Sequence, residues 1–152
     1  KYIQTKPGII QTIDGDNCGE HDGLMYYTMG QRKGLGIGGG YGSKEAPWFV
    51  AEKDFENNVL IVAQGHDHPS LFHKQLLADQ IHWISGLPPD SSNKIYAKIR
   101  YRQKDQACRL SINNNHCIVD FEEPQFAIAP GQSVVFYSED ECLGGAIIDS
   151  RK

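Results

Sequence analysis

From Gln75 to Ile148 the chain returns again and again to short β-branched segments separated by turn-forming clusters, and few arrangements can bury segments of that kind. Gln75–Ile84, Lys94–Arg102, Ala107–Ile112, Cys117–Phe121, Ser133–Tyr137 and Cys142–Ile148 read as strands. Asn113-Asn114-Asn115 and Glu139-Asp140-Glu141 supply tight turns, and Ser85–Asn93 supplies a longer loop with Pro88 and Pro89. A short strand cannot cover its own apolar face. Five or more at this spacing predict a small antiparallel barrel.

The first half is patterned differently. Gly8–Ile13 reads as a strand closed by the turn Asp14-Gly15-Asp16-Asn17. Asp22–Lys33 is the one helical candidate: Asp22 can cap it, Leu24, Met25, Thr28 and Met29 share a side, and Gly30 and Gly34 would end it. Trp48–Lys53 and Val59–Gln64 form a hairpin about Glu56-Asn57-Asn58, since Asn tolerates positive φ. His66-Asp67-His68-Pro69-Ser70 breaks the pattern. The expected fold class is mainly β, of the α+β kind. A small domain at 1–68 with one short helix and a β-hairpin precedes a C-terminal antiparallel β-barrel at 69–152.

Composition narrows the function. The 152 residues carry a formal net charge of -4, so any polyanion site must be a local patch. The longest apolar run, Val59–Ala63, falls far short of the ~20 residues of a membrane helix. Cysteines 18, 108, 117 and 142 contain no C-x-x-C pair, which argues against a thiolate zinc site; two disulfides are formally possible, but with no signal peptide in view reduced thiols in a cytoplasmic protein are expected. His66, His68 and His73, or Cys18 with Glu20 and His21, lack a recognised ligand spacing, so no metal is expected. Gly34-Leu-Gly-Ile-Gly-Gly39 matches G-x-G-x-x-G in letters only. A helix is expected before it and a strand after it, the reverse of a dinucleotide site. It is a plain connecting loop or, beside Gln31, Arg32 and Lys33, one that meets a phosphate through its N–H groups. No G-x-S-x-G elbow occurs, and no residue is assigned a catalytic role.

The most informative local feature is basic. Lys94, Lys98, Arg100, Arg102, Lys104 and Arg109 face only Asp105 between residues 94 and 109. Alternation places Lys94, Tyr96, Lys98, Arg100 and Arg102 on one strand face and Ile95, Ala97, Ile99 and Tyr101 on the other. Arg forks bind phosphate oxygens and a tyrosine ring can stack on a base. The bland alternative is a solvated strand face.

Gly19-Glu20-His21-Asp22-Gly23-Leu24-Met25-Tyr26-Tyr27-Thr28-Met29-Gly30-Gln31-Arg32-Lys33-Gly34-Leu35-Gly36-Ile37 closely resembles the G-x-H-x-G-x-x-x-Y-T-x-G-Q-R-K-G-L-G-I segment of bacterial tRNA-specific 2-thiouridylases. Trp48-Phe49-Val50, Asn57-Asn58, Val62–Gly65, Lys98–Arg102, Ala129–Gln132 and Cys142–Gly145 resemble later blocks of that family in the same order. The resemblance implies a three-part enzyme. An N-terminal ATP-pyrophosphatase domain with an S-G-G-x-D-S loop and two catalytic cysteines activates the wobble uridine of tRNA using ATP and magnesium. Sulfur then arrives from a persulfide, while a central domain and a C-terminal barrel hold the tRNA. The present sequence has no S-G-G-x-D-S and begins at Lys1, so it is expected to be the central and C-terminal domains of a longer chain, inactive alone. Its implied partners are tRNA, the N-terminal domain and a sulfur-relay protein. Carried over by motif, tRNA contacts fall on Arg100, Tyr101 and Gln132; the basic stripe adds Lys98 and Arg102, and Gln31, Arg32 and Lys33 are expected to shape the site near the reacting base. The alternative is a protein-docking module for the catalytic domain or the relay partner.

Overall fold

A computed structural model describes residues 5–37, 46–90 and 94–152. The chain divides into two units, Lys1–Phe72 and His73–Lys152.

In the first unit, Gly8–Thr12 (β1) and Asn17–His21 (β2) form one antiparallel hairpin, and Trp48–Asp54 (β3) and Val59–Gln64 (β4) form another. β1 pairs with β4 in parallel, so the sheet order is β2-β1-β4-β3. Ile10, Cys18, Leu24, Leu35, Val50, Leu60 and Val62 make its core. Asn58 takes φ 57° at the β3–β4 turn, as its short polar side chain allows, and its amide donates to Lys6 O at 3.1 Å and Pro7 O at 3.0 Å. His21 is buried below it. Gly23 N donates to His21 Nδ1 at 3.1 Å, which assigns the proton to Nε2, and Nε2 donates to Asn58 O at 2.9 Å. Gly8 faces His21 across the β1–β2 pair, and a Cβ there would lie 2.3 Å from Asn58 O.

The expected helix over Asp22–Lys33 does not form, and the α+β class is corrected accordingly. Among the described residues only two 3-10 turns occur, Leu24–Tyr26 and Pro69–Leu71. The reason is tertiary. Gly30 N donates to Val50 O at 2.7 Å and Val50 N donates to Gln31 O at 2.9 Å, so the backbone that would continue a helix is bonded to β3. Gly23 and Gly30, at φ 150° and 81°, break the helical path on either side of the turn. β2 escapes the sequence reading because Asn17, Gly19 and Glu20 are poor strand formers. Gly38–Gly42 of the glycine-rich loop lie outside the described residues.

The second unit is a closed barrel of six strands: Phe72–Trp83 (β5), Ile95–Lys98 (β6), Gln106–Asn113 (β7), His116–Phe126 (β8), Ser133–Ser138 (β9) and Glu141–Arg151 (β10). Their order around the wall is β10-β5-β8-β7-β6-β9. Leu76, Ala78, Ile95, Ala97, Val119, Phe121, Ile128, Val134, Phe136, Ala146 and Ile148 fill the interior. Period-two alternation on the wall strands delivers most of them there, while Ile128 comes from the connection after β8 and β7 contributes only the partly buried Cys108 and Leu110. β10 closes the wall between β9 and β5, and Gly144 is the point of closest approach. It pairs with Trp83 on one side and Phe136 on the other, whose rings stand 5.6 Å apart. At φ 151°, a Cβ on Gly144 would lie 2.0 Å from His82 O.

Gly144→Ala should therefore lower the stability of the barrel by about 2 kcal/mol or more, from overpacking and backbone strain together. Circular dichroism melting measures it; an unchanged Tm would mean that β10 does not close the wall as described.

Candidate nucleic-acid interface

β6 lasts four residues, and its ending sets the geometry of the basic segment. Alternation sends Ile95 and Ala97 into the core and Tyr96 and Lys98 outward. After Lys98 the chain turns. Ile99 N donates to Gln103 Oε1 at 3.0 Å and Gln103 N donates to Arg100 O at 3.3 Å. Gln103 Nε2 then donates to Gln125 Oε1 at 2.6 Å. Gln125, 4% exposed, donates to Gln106 Oε1 at 3.3 Å and to Glu123 O at 2.9 Å. Gln106 Nε2 donates to Lys104 O at 2.9 Å. Three glutamines thus pin both ends of the 99–105 turn to β8 without burying a charge.

The turn carries Tyr101 to 95% exposure. Strand alternation alone placed Tyr101 on the apolar face, and the end of β6 at Lys98 is what releases it. Arg102 beside it is also exposed. Neither side chain has a polar partner among the described residues. Arg100 is placed differently. Its Nη2 donates to Phe126 O and, at 3.0 Å, to Ala127 O, and its guanidinium lies 5.4 Å from the Phe126 ring centre. Partial burial pulls its pKa below the usual value, while the group remains a cation. Arg100 therefore spends two donors on the left-handed corner at Ala127, φ 53°. Arg151 Nη1 holds the next carbonyl, Ile128 O, at 3.1 Å.

That corner leads to Gln132. Gly131 N donates to Ile148 O at 2.8 Å, Ile148 N donates to Gln132 O at 2.8 Å, and the Gln132 side chain is exposed. Lys98 pairs with Val135, so the Gln132 turn and the 99–105 turn lie at one end of the barrel. Lys98 itself lies along the wall, its Nζ 5.0 Å from the centre of the Tyr137 ring. In the first unit the Gln31 amide is bonded to its own loop: Thr28 N donates to Gln31 Oε1 at 3.0 Å and Gln31 Nε2 donates to Lys33 O at 2.9 Å. Arg32 and Lys33 are exposed.

Tyr137, Gln125 and Phe126 belong to this region, and sequence reasoning did not single them out. Alternation along Ser133–Tyr137 does place Tyr137 outward, but only the β6–β9 register brings it beside Tyr96 and Lys98. Nothing local to Gln103 or Gln125 signals their contact.

The four cysteines are free. Burial, helped by nearby acidic groups, pushes the Cys108 thiol up to about 12 and the Cys117 thiol to about 11. Both are neutral at physiological pH and poor nucleophiles. Among the described residues no three His, Cys, Asp or Glu side chains gather as a metal site, and no helix is long and apolar enough to cross a membrane.

Two family models match the chain. Residues 1–64 match one described as a tRNA methyl transferase PRC-barrel domain, and residues 73–148 match one described as an aminomethyltransferase beta-barrel domain. The pair defines the class: a two-domain module of the kind found in tRNA-modifying proteins. Over 149 residues the chain is 54% identical to the tRNA-specific 2-thiouridylase MnmA of Francisella tularensis subsp. tularensis (strain WY96-3418) and 56% identical to that of Francisella philomiragia subsp. philomiragia. Each alignment covers 97% of this chain and 42% of the relative. The chain belongs to the tRNA-specific 2-thiouridylase family, of which it carries the central and C-terminal domains. It spans about two fifths of the length of the curated relatives it matches.

Two predictions follow from the geometry. Gln125→Leu leaves the Gln103 and Gln106 amides short of a partner and should cost about 1–3 kcal/mol, with a faster-exchanging 99–105 backbone in hydrogen exchange; equal exchange in parent and variant would dismiss the glutamine clamp. The thiols make the second. Cys108 ordinarily ionises near 9 and is held neutral in the fold up to about 12. The unfolded chain gains the thiolate first, so Tm should fall as pH climbs from 9 towards 12, and Cys108→Val should flatten that fall.

Proposed function

We propose that this chain is the RNA-holding portion of an ATP-dependent sulfurtransferase that makes 2-thiouridine at the wobble position of tRNA. The observation that carries the reading is Tyr101, 95% exposed on a turn clamped by three glutamines and flanked by the exposed cation Arg102. A large aromatic ring displayed to water on a braced turn is costly to a barrel and useful to a base, which can stack on it. Arg102 and Lys98 would meet phosphates, and Gln132 would add a polar contact from the neighbouring turn. Arg100 would act by holding the 126–127 corner. Such contacts position RNA and carry little sequence information, so tRNA identity would be read largely by shape.

In this reading the chemistry lies outside these 152 residues. ATP with magnesium, the persulfide donor and the catalytic cysteines would belong to the remainder of a parent chain, and the neutral Cys108 and Cys117 are consistent with that division. In the first unit, Arg32 and Lys33 would help to shape the surroundings of the reacting base, with Gln31 fixing their loop. The setting would be cytoplasmic, which four unpaired cysteines support. A second reading, docking to the parent's remaining domain or to a sulfur-relay protein, draws on the exposed Ile84 and Leu87 of the β5–β6 loop, 64% and 73% exposed.

Fluorescence anisotropy with an unmodified tRNA transcript tests the first reading. The chain should bind weakly, with a Kd on the order of 1–100 μM that rises steeply with salt. Tyr101→Ala with Arg102→Glu should weaken binding by about tenfold or more. Equal affinity in parent and variant would remove this turn from the interface, and no binding by the parent would leave the docking reading in its place.

A further inference from the structure

The outer wall of the barrel carries a second aromatic and cationic arrangement that the 99–105 turn does not use. Tyr96 of β6 and Tyr137 of β9 are direct cross-strand partners and point outward, since Ile95, Ala97, Val134 and Phe136 point in. Each ring has a lysine over it: Lys98 Nζ lies 5.0 Å from the Tyr137 centre and Lys94 Nζ 5.8 Å from the Tyr96 centre. Neither lysine forms an ion pair among the described residues. A free lysine must be ordered before it can bind an anion, and that ordering has an entropic cost. A ring face beneath the ammonium holds it partly in place beforehand, while leaving its N–H donors open to solvent. The phenol hydroxyls add donors alongside. An ammonium already stands over each ring, so this surface suits phosphate better than base.

We propose that the Lys94–Tyr96–Tyr137–Lys98 wall binds the sugar-phosphate backbone of RNA, as an extension of the site at Tyr101 and Arg102. The inference rests on the RNA-holding reading above and adds a sequence-neutral contact to it. The direction of the backbone is set by charge. Glu139 and Asp140 of the β9–β10 turn and Glu141 at the start of β10 lie just beyond Tyr137, on the side of Lys94, and would repel phosphate there. Lys98 stands towards the other end, where Arg102 and the Gln132 turn lie. A strand of RNA would therefore enter over Lys98 and continue towards the 99–105 turn, with Lys94 marking its limit.

The test is a salt series of tRNA titrations with the full 152-residue chain and two variants. Replacing both lysines (Lys94→Gln with Lys98→Gln) removes two phosphate contacts and should make the slope of log K against log salt shallower by about 1.4–1.8. Tyr137→Leu keeps every charge and removes the ring beneath Lys98. It should weaken binding about threefold with the slope unchanged, at a melting temperature near that of the parent. If the parent binds and the double-lysine variant keeps the parent slope, the wall is solvated surface and this inference fails, while the Tyr101 reading stands. An affinity in Tyr137→Leu equal to that of the parent likewise overturns the role of the ring. A parent that binds no tRNA ends both readings together.

Discussion

The barrel depends on how closely β10 can pass between its two neighbours. At Gly144 the wall closes against the His82 carbonyl, a separation that admits no side chain, with Trp83 and Phe136 meeting nearby at 5.6 Å. Closure removes the unpaired edges that an open six-stranded sheet would present to other chains. It also fixes the β6–β9 register, and with it the positions of Tyr96, Lys98 and Tyr137. The candidate surface is therefore a product of closure and not of β6 alone.

Polar groups divide the remaining work. Arg100 and Arg151 hold successive carbonyls of the 126–128 corner, while Gln103, Gln106 and Gln125 hold the 99–105 turn. Charged side chains stabilise a left-handed corner at Ala127, and neutral amides shape the loop that displays Tyr101 and Arg102. The first unit uses the same logic. His21 and Asn58 tie β2, the β3–β4 turn and the Lys6–Pro7 segment together, and Gln31 braces the loop that exposes Arg32 and Lys33.

The sequence made the barrel legible because its wall strands alternate and its turns carry Asn, Pro, Gly and acidic clusters. The β3–β4 hairpin was equally legible, down to the positive φ at Asn58. Two features were not. Apolar spacing over Asp22–Lys33 suited a helix, but hydrogen bonds to Val50, distant in sequence, drew the backbone onto the sheet. Alternation through Arg102 suited a longer β6, but the amide of Gln103 intercepts Ile99 and ends the ladder. In both cases one or two long-range or side-chain hydrogen bonds override a periodic pattern. For the site, the stripe of charge could be read directly. The commitment of Arg100 to backbone and the partnership of Tyr96 with Tyr137 could not, because each depends on strands far apart in the chain.

Cys142 has a practical consequence. It is the exposed cysteine of the four, and it pairs across the wall with Tyr137. Cys18 and Cys117 are enclosed, and Cys108 is half enclosed and firmly protonated. A maleimide dye offered to the native protein at neutral pH would settle at Cys142, one strand away from the lysine-capped tyrosines, and would report occupancy of that wall through its emission with no engineered residue.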